Sequence, residues 1–464
     1  MRVAAIDQGT TSTRCFILQD GDVAEAAGTR RHAQFHPQPG WVEHDPEELL
    51  RNVEALLRGA GPFDAIAIAN QGESCLAWDA RTGAPLSPVI VWQDARTTAE
   101  LGRLDAVAAE RSKAVSGLPL DPYFSASKLA WLVREVPAVV EALANGRLRL
   151  GTTDTFFLNR LGGVFRTDLA TASRTGLLDL DGRCWSAEMC GLHGVPIACL
   201  PEITEVDAGF GRWNGIPIRA SIVDQQAALY GHRCRAPGDC KITFGTGAFL
   251  LSVTGASAPR EGGLLPTVAW HRRGETPVLA VEGGVYDAGA AVEWARGIGL
   301  FSAMEELAAF EGPSALSRGI AFVPALSGLA APYWDRQAAP LFIGMNHATS
   351  RRDLARAVLE GIAMLTVCLI EAAAGQGFLG PAISIDGGLS QSGYFAQFLA
   401  CASGRTITVP AMHELTALGL AELCGVDTTR AAGAAKRFAP AGGVSDADHR
   451  RFAEAVSRSR GWRA

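Results

Sequence analysis

Apolar and β-branched runs recur along the chain, each closed by Gly, Asp, Asn or a polar break. They are "RVAAID" (2–7), "RCFIL" (14–18), "AIAIAN" (65–70), "PVIVW" (88–92), "CKITF" (240–244), "AFLLSV" (248–253) and "AISIDGG" (382–388). Short runs of this kind bounded by turn formers predict strands. Helical periodicity fills the intervals. "DLARAVLEGIAMLTVCLIEAAAG" (353–375) predicts a long helix, with Ser350 and Asp353 in capping-box spacing at its start and Gly375 at its end. The order is α/β throughout.

One hairpin pattern occurs twice. In "VAAIDQGTTSTRCFILQDG" (3–21) an apolar strand runs into Gly9 and then four hydroxyl residues, Thr10, Thr11, Ser12 and Thr13, closed by Arg14. A tight hairpin needs only about two residues at positive φ, so these donors exceed what turning the chain requires. "KITFGTGAFLLSV" (241–253) repeats the strand, Gly-Thr turn and strand about half the chain later. The echo predicts a duplicated α/β fold of two domains, 1–230 and 231–464, with the two hairpins facing each other across a cleft. The Gly-Pro-Gly passage "AALYGHRCRAPGDC" (227–240) marks the boundary.

At 464 residues the chain exceeds the ~250–300 residues that one core serves, in line with two domains. Hydrophobic residues at 48%, charged residues at 19% and 52 glycines are globular values and suit many tight turns. A net charge of −6 argues against nucleic acid or an anionic membrane as partner, which leaves a small soluble molecule. The first strand starts at residue 2 or 3, leaving no room for a signal peptide, and no apolar run is expected to reach the ~18 residues of a membrane span. The expectation is a cytoplasmic protein without membrane insertion. Ten cysteines without a C-x-x-C pair read as reduced core thiols, and nine histidines show no H-E-x-x-H spacing. No metal cluster is expected beyond what a bound nucleotide brings.

Backbone amides in Gly-rich turns form nests for phosphate, and hydroxyls add donors without adding charge. Each Gly-Thr turn alone reads equally as a plain hairpin; the two together, with "DGG" (386–388), point to a polyphosphate. Asp7, at the end of the first strand, suits the organisation of Mg²⁺ beside phosphate oxygens. The G-x-x-x-x-G-K-[ST] loop is absent. In "SIVDQQAAL" (221–229), Asp224 follows a strand and opens a helix. It reads either as an N-cap or as a general base for an attacking alcohol, with Gln225 beside it for a neighbouring hydroxyl. Trp92 and Tyr123, in "VWQDAR" and "DPYFSASKLAWL", read singly as core aromatics, and their polar company admits a sugar or polyol wall.

The segments "DQGTTSTR", "PGWVEHDP" (39–46), "DPYFSASK", "DQQAAL", "FGTGAF", "GLAAPYWD" (328–335) and "ELTALG" (414–419) occur in an order that resembles the FGGY carbohydrate kinases, and within them the glycerol kinases. "YFSASKLAWLVRE" (123–135) is similar to the first family signature throughout; "LFIGMNHATSRRDLARAVLE" (341–360) is similar to the second, except for Pro340 just before it. The resemblance spans nearly the whole chain. It implies a two-domain actin-like ATPase (ribonuclease H-like) fold closing over MgATP and a polyol, working in the cytoplasm as a homo-oligomer, a dimer or tetramer. By position it implies nucleotide contacts at Thr10, Thr11, Ser12, Arg14, Thr246, Gly289, Glu293, Gly388 and Ser392. Asp7 matches the Mg²⁺ carboxylate and Asp224 the catalytic base. Glu73, Trp92, Tyr123, Asp224, Gln225 and Phe249 match the polyol pocket.

Glycerol kinases read "NQRE" where this chain reads "NQGE", so Gly72 stands in place of an arginine that donates to substrate hydroxyls. Losing such a charged donor costs about 1.5–3 kcal/mol. This implies weaker glycerol binding and opens the alternative of a longer polyol or ketose: a tetritol, pentitol or pentulose. Arg96 is the replacement donor in view. Glu293 and Ser392 stand where glycerol kinases have Gln and Asn near the adenine, and Tyr286 and Asp287 add polar groups to "YDAG". "GFGRWNGIPIR" (209–219) lacks the longer Gly-rich loop that binds fructose 1,6-bisphosphate, so no inhibition by that sugar is expected. A silent ATP- and sugar-binding sensor and, on the fold alone, an actin- or chaperone-type ATPase are the remaining alternatives.

Overall fold

A computed structural model describes residues 1–22 and 24–463. The chain forms two compact units. The first gathers Met1–Arg233, Pro266–Leu279 and Glu414–Ala432; the second holds Cys234–Leu265, Ala280–His413 and the chain from Gly433 on.

In the first unit β1 (Arg2–Gln8) and β2 (Ser12–Gln19) make the expected antiparallel hairpin, extended by β3 (Glu25–Arg31). On the other side of β1 lies β4 (Ala65–Asn70), then β6 (Ile216–Val223), both parallel to it, with the short β5 (Arg212–Trp213) at the edge. Every residue of β4 is buried, as expected for a parallel strand covered on both faces. Gln8 and Val223 are both in register with Asn70, so β1, β4 and β6 end level. From β6 the chain passes into α1 (Asp224–Gly231). This helix packs backbone to backbone on the distant helix Leu415–Leu423: a Cβ at Gly231 would meet the Leu415 carbonyl at 2.0 Å, and one at Gly419 the Ala227 carbonyl at 1.9 Å. "PVIVW" forms only the two-residue strand Val89–Ile90. Pro88 offers no N–H, and beyond Ile90 the chain turns, Asp94 N donating to the Val91 carbonyl.

The second unit repeats the plan. β7 (Cys240–Phe244) and β8 (Ala248–Gly255) form its hairpin; β9 (Val278–Val285) flanks β8, and β10 (Ala382–Gly387) lies parallel to β7. β11 (Thr406–Val409) and β12 (Lys436–Phe438) follow outward. Phe244 is in register with Gly387, so β7 and β10 end level, as β1 and β4 do. Three helices matter here: α2 (Gly289–Gly297), α3 (Arg351–Gly375) and α4 (Gly393–Ser403). α3 begins with the expected capping box between Ser350 and Asp353. Contrary to the expectation from the sequence, α3 is long and apolar enough to cross a membrane. Its apolar stretch is instead packed into the core of the unit, where Ile362, Ala363 and Leu369 have no exposed surface.

Candidate active site

Ligands of open α/β sheets bind off the carboxyl ends of parallel strands. Three such ends lie side by side in the first unit, about 4.8 Å apart. After β1 comes the turn Gly9–Ser12, closed by a 3.1 Å bond from Gly9 N to the Ser12 carbonyl. After β4 come Gln71, Gly72 and Glu73; after β6 comes Asp224. The strand resumes at Ser12, so the bare part of the turn is Gly9, Thr10 and Thr11, with Thr11 exposed.

Side chains tie the first two ends together. Trp92 Nε1 donates to Thr10 Oγ1 at 2.9 Å, while its backbone N donates to Ser74 Oγ at 3.1 Å. Tyr123 packs edge-on against Trp92 with ring centroids 5.6 Å apart, and its carbonyl accepts from the buried Lys128 Nζ at 2.9 Å. Burial pushes the Lys128 ammonium below its ordinary value. Glu73 sits at φ +56°, a left-handed conformation that is costly for a residue with a side chain. Two contacts hold it there. Arg174 Nε donates to its carboxylate at 2.7 Å, both side chains being at most 6% exposed, and Ser125 Oγ donates to its carbonyl at 2.9 Å.

Asp7 lies beneath the first turn, paired with Arg14 at 2.6 Å; Arg14 also donates to Glu414 at 2.5 Å. Burial raises the Asp7 carboxyl above its ordinary value, and the Arg14 guanidinium counteracts part of that rise. Asp224 is the first residue of α1, with Val223 in the capping position, and its Oδ1 accepts from Gln225 N at 2.7 Å. Asp224 and Gln225 are half-buried at the strand end. Arg96 does not stand in for the side chain missing at Gly72. Its guanidinium binds Glu43 at 2.7 Å and Asp94 at 2.8 Å and lies over the Trp41 ring.

In the second unit the turn Gly245–Gly247 rests on the start of α2. Gly289 N donates to the Gly245 carbonyl, and Ala288 N and Ala290 N to the Thr246 carbonyl, each at 3.0 Å. Gly289 is obligatory there, because a Cβ would meet the Gly245 carbonyl at 2.5 Å. Gly387, at φ +86°, brings the third turn against β7 in the same way, its Cβ position being 2.1 Å from the Phe244 carbonyl. Thr246 and Gly388 are exposed, and no atom lies within 4 Å of a Cβ placed on Gly388. The backbone of these turns is open to a ligand. The Phe249 ring lies beside Gly247 and Gly284. Glu293 is exposed and paired with Arg296; Ser392 caps α4 by accepting from Phe395 N at 3.2 Å. Asp287 is turned to structural use, accepting from Ser327 N at 2.6 Å and Ser327 Oγ at 2.9 Å.

Among the described residues no three His, Cys, Asp or Glu are grouped to hold a metal ion. A cation at Asp7 therefore needs phosphate oxygens and water to complete its shell, which is how Mg²⁺ is held with nucleotides. The open turns suit the phosphates of such a nucleotide.

Arg174, Lys128 and Glu414 are the site neighbours that sequence reasoning missed. A signal existed for the first: Arg174 is a lone charge among small residues in "TASRTG". Its partner Glu73 lies 101 positions away, which no local pattern reveals.

A duplicated hairpin sheet with hydroxyl- and glycine-rich turns at its strand ends, beside a strand-end Asp, defines a nucleotide-dependent phosphotransferase. Models of the FGGY family of carbohydrate kinases match the chain, the N-terminal domain over residues 2–231 and the C-terminal domain over 240–428. The chain belongs to this family, and its reaction class is ATP-dependent phosphoryl transfer to a sugar or polyol. It is 42% identical over 442 residues to a glycerol kinase of Thermus brockianus, covering 91% of this chain and 89% of that one. It is 38% identical to a glycerol kinase of Aromatoleum aromaticum over 99% and 98% of the two chains. Among solved structures, Plasmodium falciparum glycerol kinase with ADP matches with a TM-score of 0.87 at 28% identity, covering 99% and 98%. Xylulose kinase from Rhodospirillum rubrum matches with the same score at 23% identity over 99% of both chains. The fold is that of the actin-like ATPases.

Proposed function

We propose that this chain phosphorylates a primary hydroxyl of a small polyol, with glycerol, giving sn-glycerol 3-phosphate, as the first acceptor. The observation that carries the reading is the placement of two carboxylates, Glu73 and Asp224, on adjacent strand ends beside the Gly9–Ser12 turn. The relatives named glycerol kinase support the acceptor.

Asp224 accepts the proton of the attacking hydroxyl as its oxygen bonds to the γ-phosphorus and the bond from that phosphorus to the bridging oxygen breaks, with ADP leaving. Glu73, braced by Arg174, accepts from a second hydroxyl, and Trp92 and Tyr123 pack the C–H face of the acceptor. Gln225 binds a hydroxyl next to the nucleophile, and Phe249 adds a further apolar contact. Thr10, Thr11, Ser12, Arg14, Thr246, Gly289 and Gly388 bind phosphates, Glu293 and Ser392 lie by the base, and Asp7 holds Mg²⁺ through water. MgATP, when bound, supplies the γ-phosphoryl group and neutralises its charge. Positioning and charge compensation by these residues account for most of the rate. Carried from the family resemblance, the enzyme acts in the cytoplasm as a homo-oligomer, which light scattering tests.

Gly72 favours a second reading, a kinase for a tetritol, pentitol or pentulose, since it supplies no arginine to donate to the hydroxyls of glycerol. One experiment decides between them: ADP release with MgATP across glycerol, erythritol, threitol, pentitols, pentuloses and dihydroxyacetone. The highest kcat/KM on glycerol supports the first reading, and a longer acceptor winning supports the second. Asp224→Asn is the control, expected to lose about 10²–10⁴-fold in kcat with an unchanged melting temperature. Turnover surviving that change overturns the role of Asp224.

A further inference from the structure

Gly72 and Val223 touch across two neighbouring strand ends. A Cβ at position 72 would stand 2.9 Å from Val223 Cγ2, closer than side-chain atoms approach. Both residues are buried, and Val223 is in register with Asn70 as the last residue of β6. The residue after each partner is acidic: Glu73 follows Gly72 and Asp224 follows Val223. The contact therefore lies next to both acidic residues along the chain.

One end of that spacing is anchored. Glu73 is held at φ +56° by Arg174 on its carboxylate and Ser125 on its carbonyl. Asp224, half-buried at the start of α1, is the other end, held through the packing of α1 on the helix Leu415–Leu423.

We propose that the Gly72–Val223 contact is the spacer that sets the distance between the Glu73 and Asp224 carboxylates. Val223 is then a positioning residue for phosphoryl transfer. This rests on the function proposed above. A misplacement near 1 Å costs about 10²-fold in rate, so a methyl group added at position 72 has a measurable consequence, and shortening the residue at 223 relieves it.

The test is a double-mutant cycle on the full chain: Gly72→Ala, Val223→Ala, the double variant, and Val223→Thr, which keeps the volume. The readouts are kcat and KM for the acceptor that performs best in the panel above, ATP hydrolysis without acceptor, and the melting temperature. Gly72→Ala is expected to lower kcat about 10- to 100-fold while acceptor-free hydrolysis stays within about twofold. The double variant is expected to recover to within about threefold of Val223→Ala, and Val223→Thr, which keeps the spacing, to retain kcat. Independent sites multiply their effects, so a double variant equal to the product of the single ones overturns the spacer, as does an unchanged kcat in Gly72→Ala. Should Gly72→Ala not fold, Val223→Ala decides: kcat several-fold lower and restored in Val223→Thr supports the spacer, and wild-type kcat overturns it. A wild-type chain inactive on every acceptor removes the function reading itself, a result distinct from an active enzyme with an additive cycle.

Discussion

The hairpins β1–β2 and β7–β8 share a plan and differ in what makes their turns work. The first turn is built on charge and side-chain bonds. Asp7, Arg14 and Glu414 form a chain beneath it, and Thr10 is tethered through its hydroxyl to Trp92. The second is built on shape: Gly289 and Gly387 let backbone approach backbone at distances that any side chain would block. Similar sequence patterns thus carry two kinds of turn, one sensitive to removing side chains and the other to adding them.

Adding a side chain should separate the two most sharply. Gly387→Ala places a Cβ 2.1 Å from the Phe244 carbonyl at φ +86° and is expected to cost about 3 kcal/mol in denaturant unfolding. Gly9→Ala meets nothing nearer than 3.5 Å and should stay within about 0.5 kcal/mol. Equal losses would erase the distinction. Removing a side chain should reverse the order. Arg14→Ala leaves Asp7 buried without its cation, and kcat/KM for ATP is expected to fall about 30-fold, near 2 kcal/mol. Thr246→Ala deletes one hydroxyl and should cost fivefold or less, about 1 kcal/mol.

A smaller effect concerns pH. In the first unit burial pushes the Asp168 carboxyl up to about 7, with help from the buried Asp154 nearby. A carboxyl raised in the folded state binds its proton there while the unfolded chain, at an ordinary value near 4, has released it. Its contribution is therefore present below about pH 4 and lost as pH rises toward 7. The melting temperature of Asp168→Asn should depend less on pH between 4 and 7 than that of the wild type; parallel profiles would exclude this source. The smallest expected effect is none. Asn214 and Gly215, both at positive φ, close the β5–β6 hairpin tightly. Fructose 1,6-bisphosphate added to the activity assay should leave the rate unchanged.

Much of the fold was legible because local chemistry determines it. "AIAIAN" and "CKITF" are strands over the residues their apolar runs mark, and the Ser350–Asp353 box starts α3 where expected. "PVIVW" was overread, since the bonding of Asp94 and the missing N–H of Pro88 outweigh β propensity there. α3 misleads in the opposite sense, because length and composition do not distinguish a core helix from a membrane span. At the site, Asp7, Asp224 and both turns announce themselves by position after a strand. Arg174 does not, and Arg96, the visible substitute, is bound to Glu43 and Asp94.

The sequence by itself determined the strands of the two hairpins, their parallel neighbours β4 and β10, and the family, because periodicity, turn residues and collinear motifs are properties of neighbours along the chain. Tertiary structure alone decided which arginine braces Glu73, that Glu414 completes the Asp7–Arg14 chain, and that Val223 lies against Gly72. Those contacts join residues 101, 400 and 151 positions apart. Parallel strand register and close helix packing, rather than any local preference, bring them within a few ångströms.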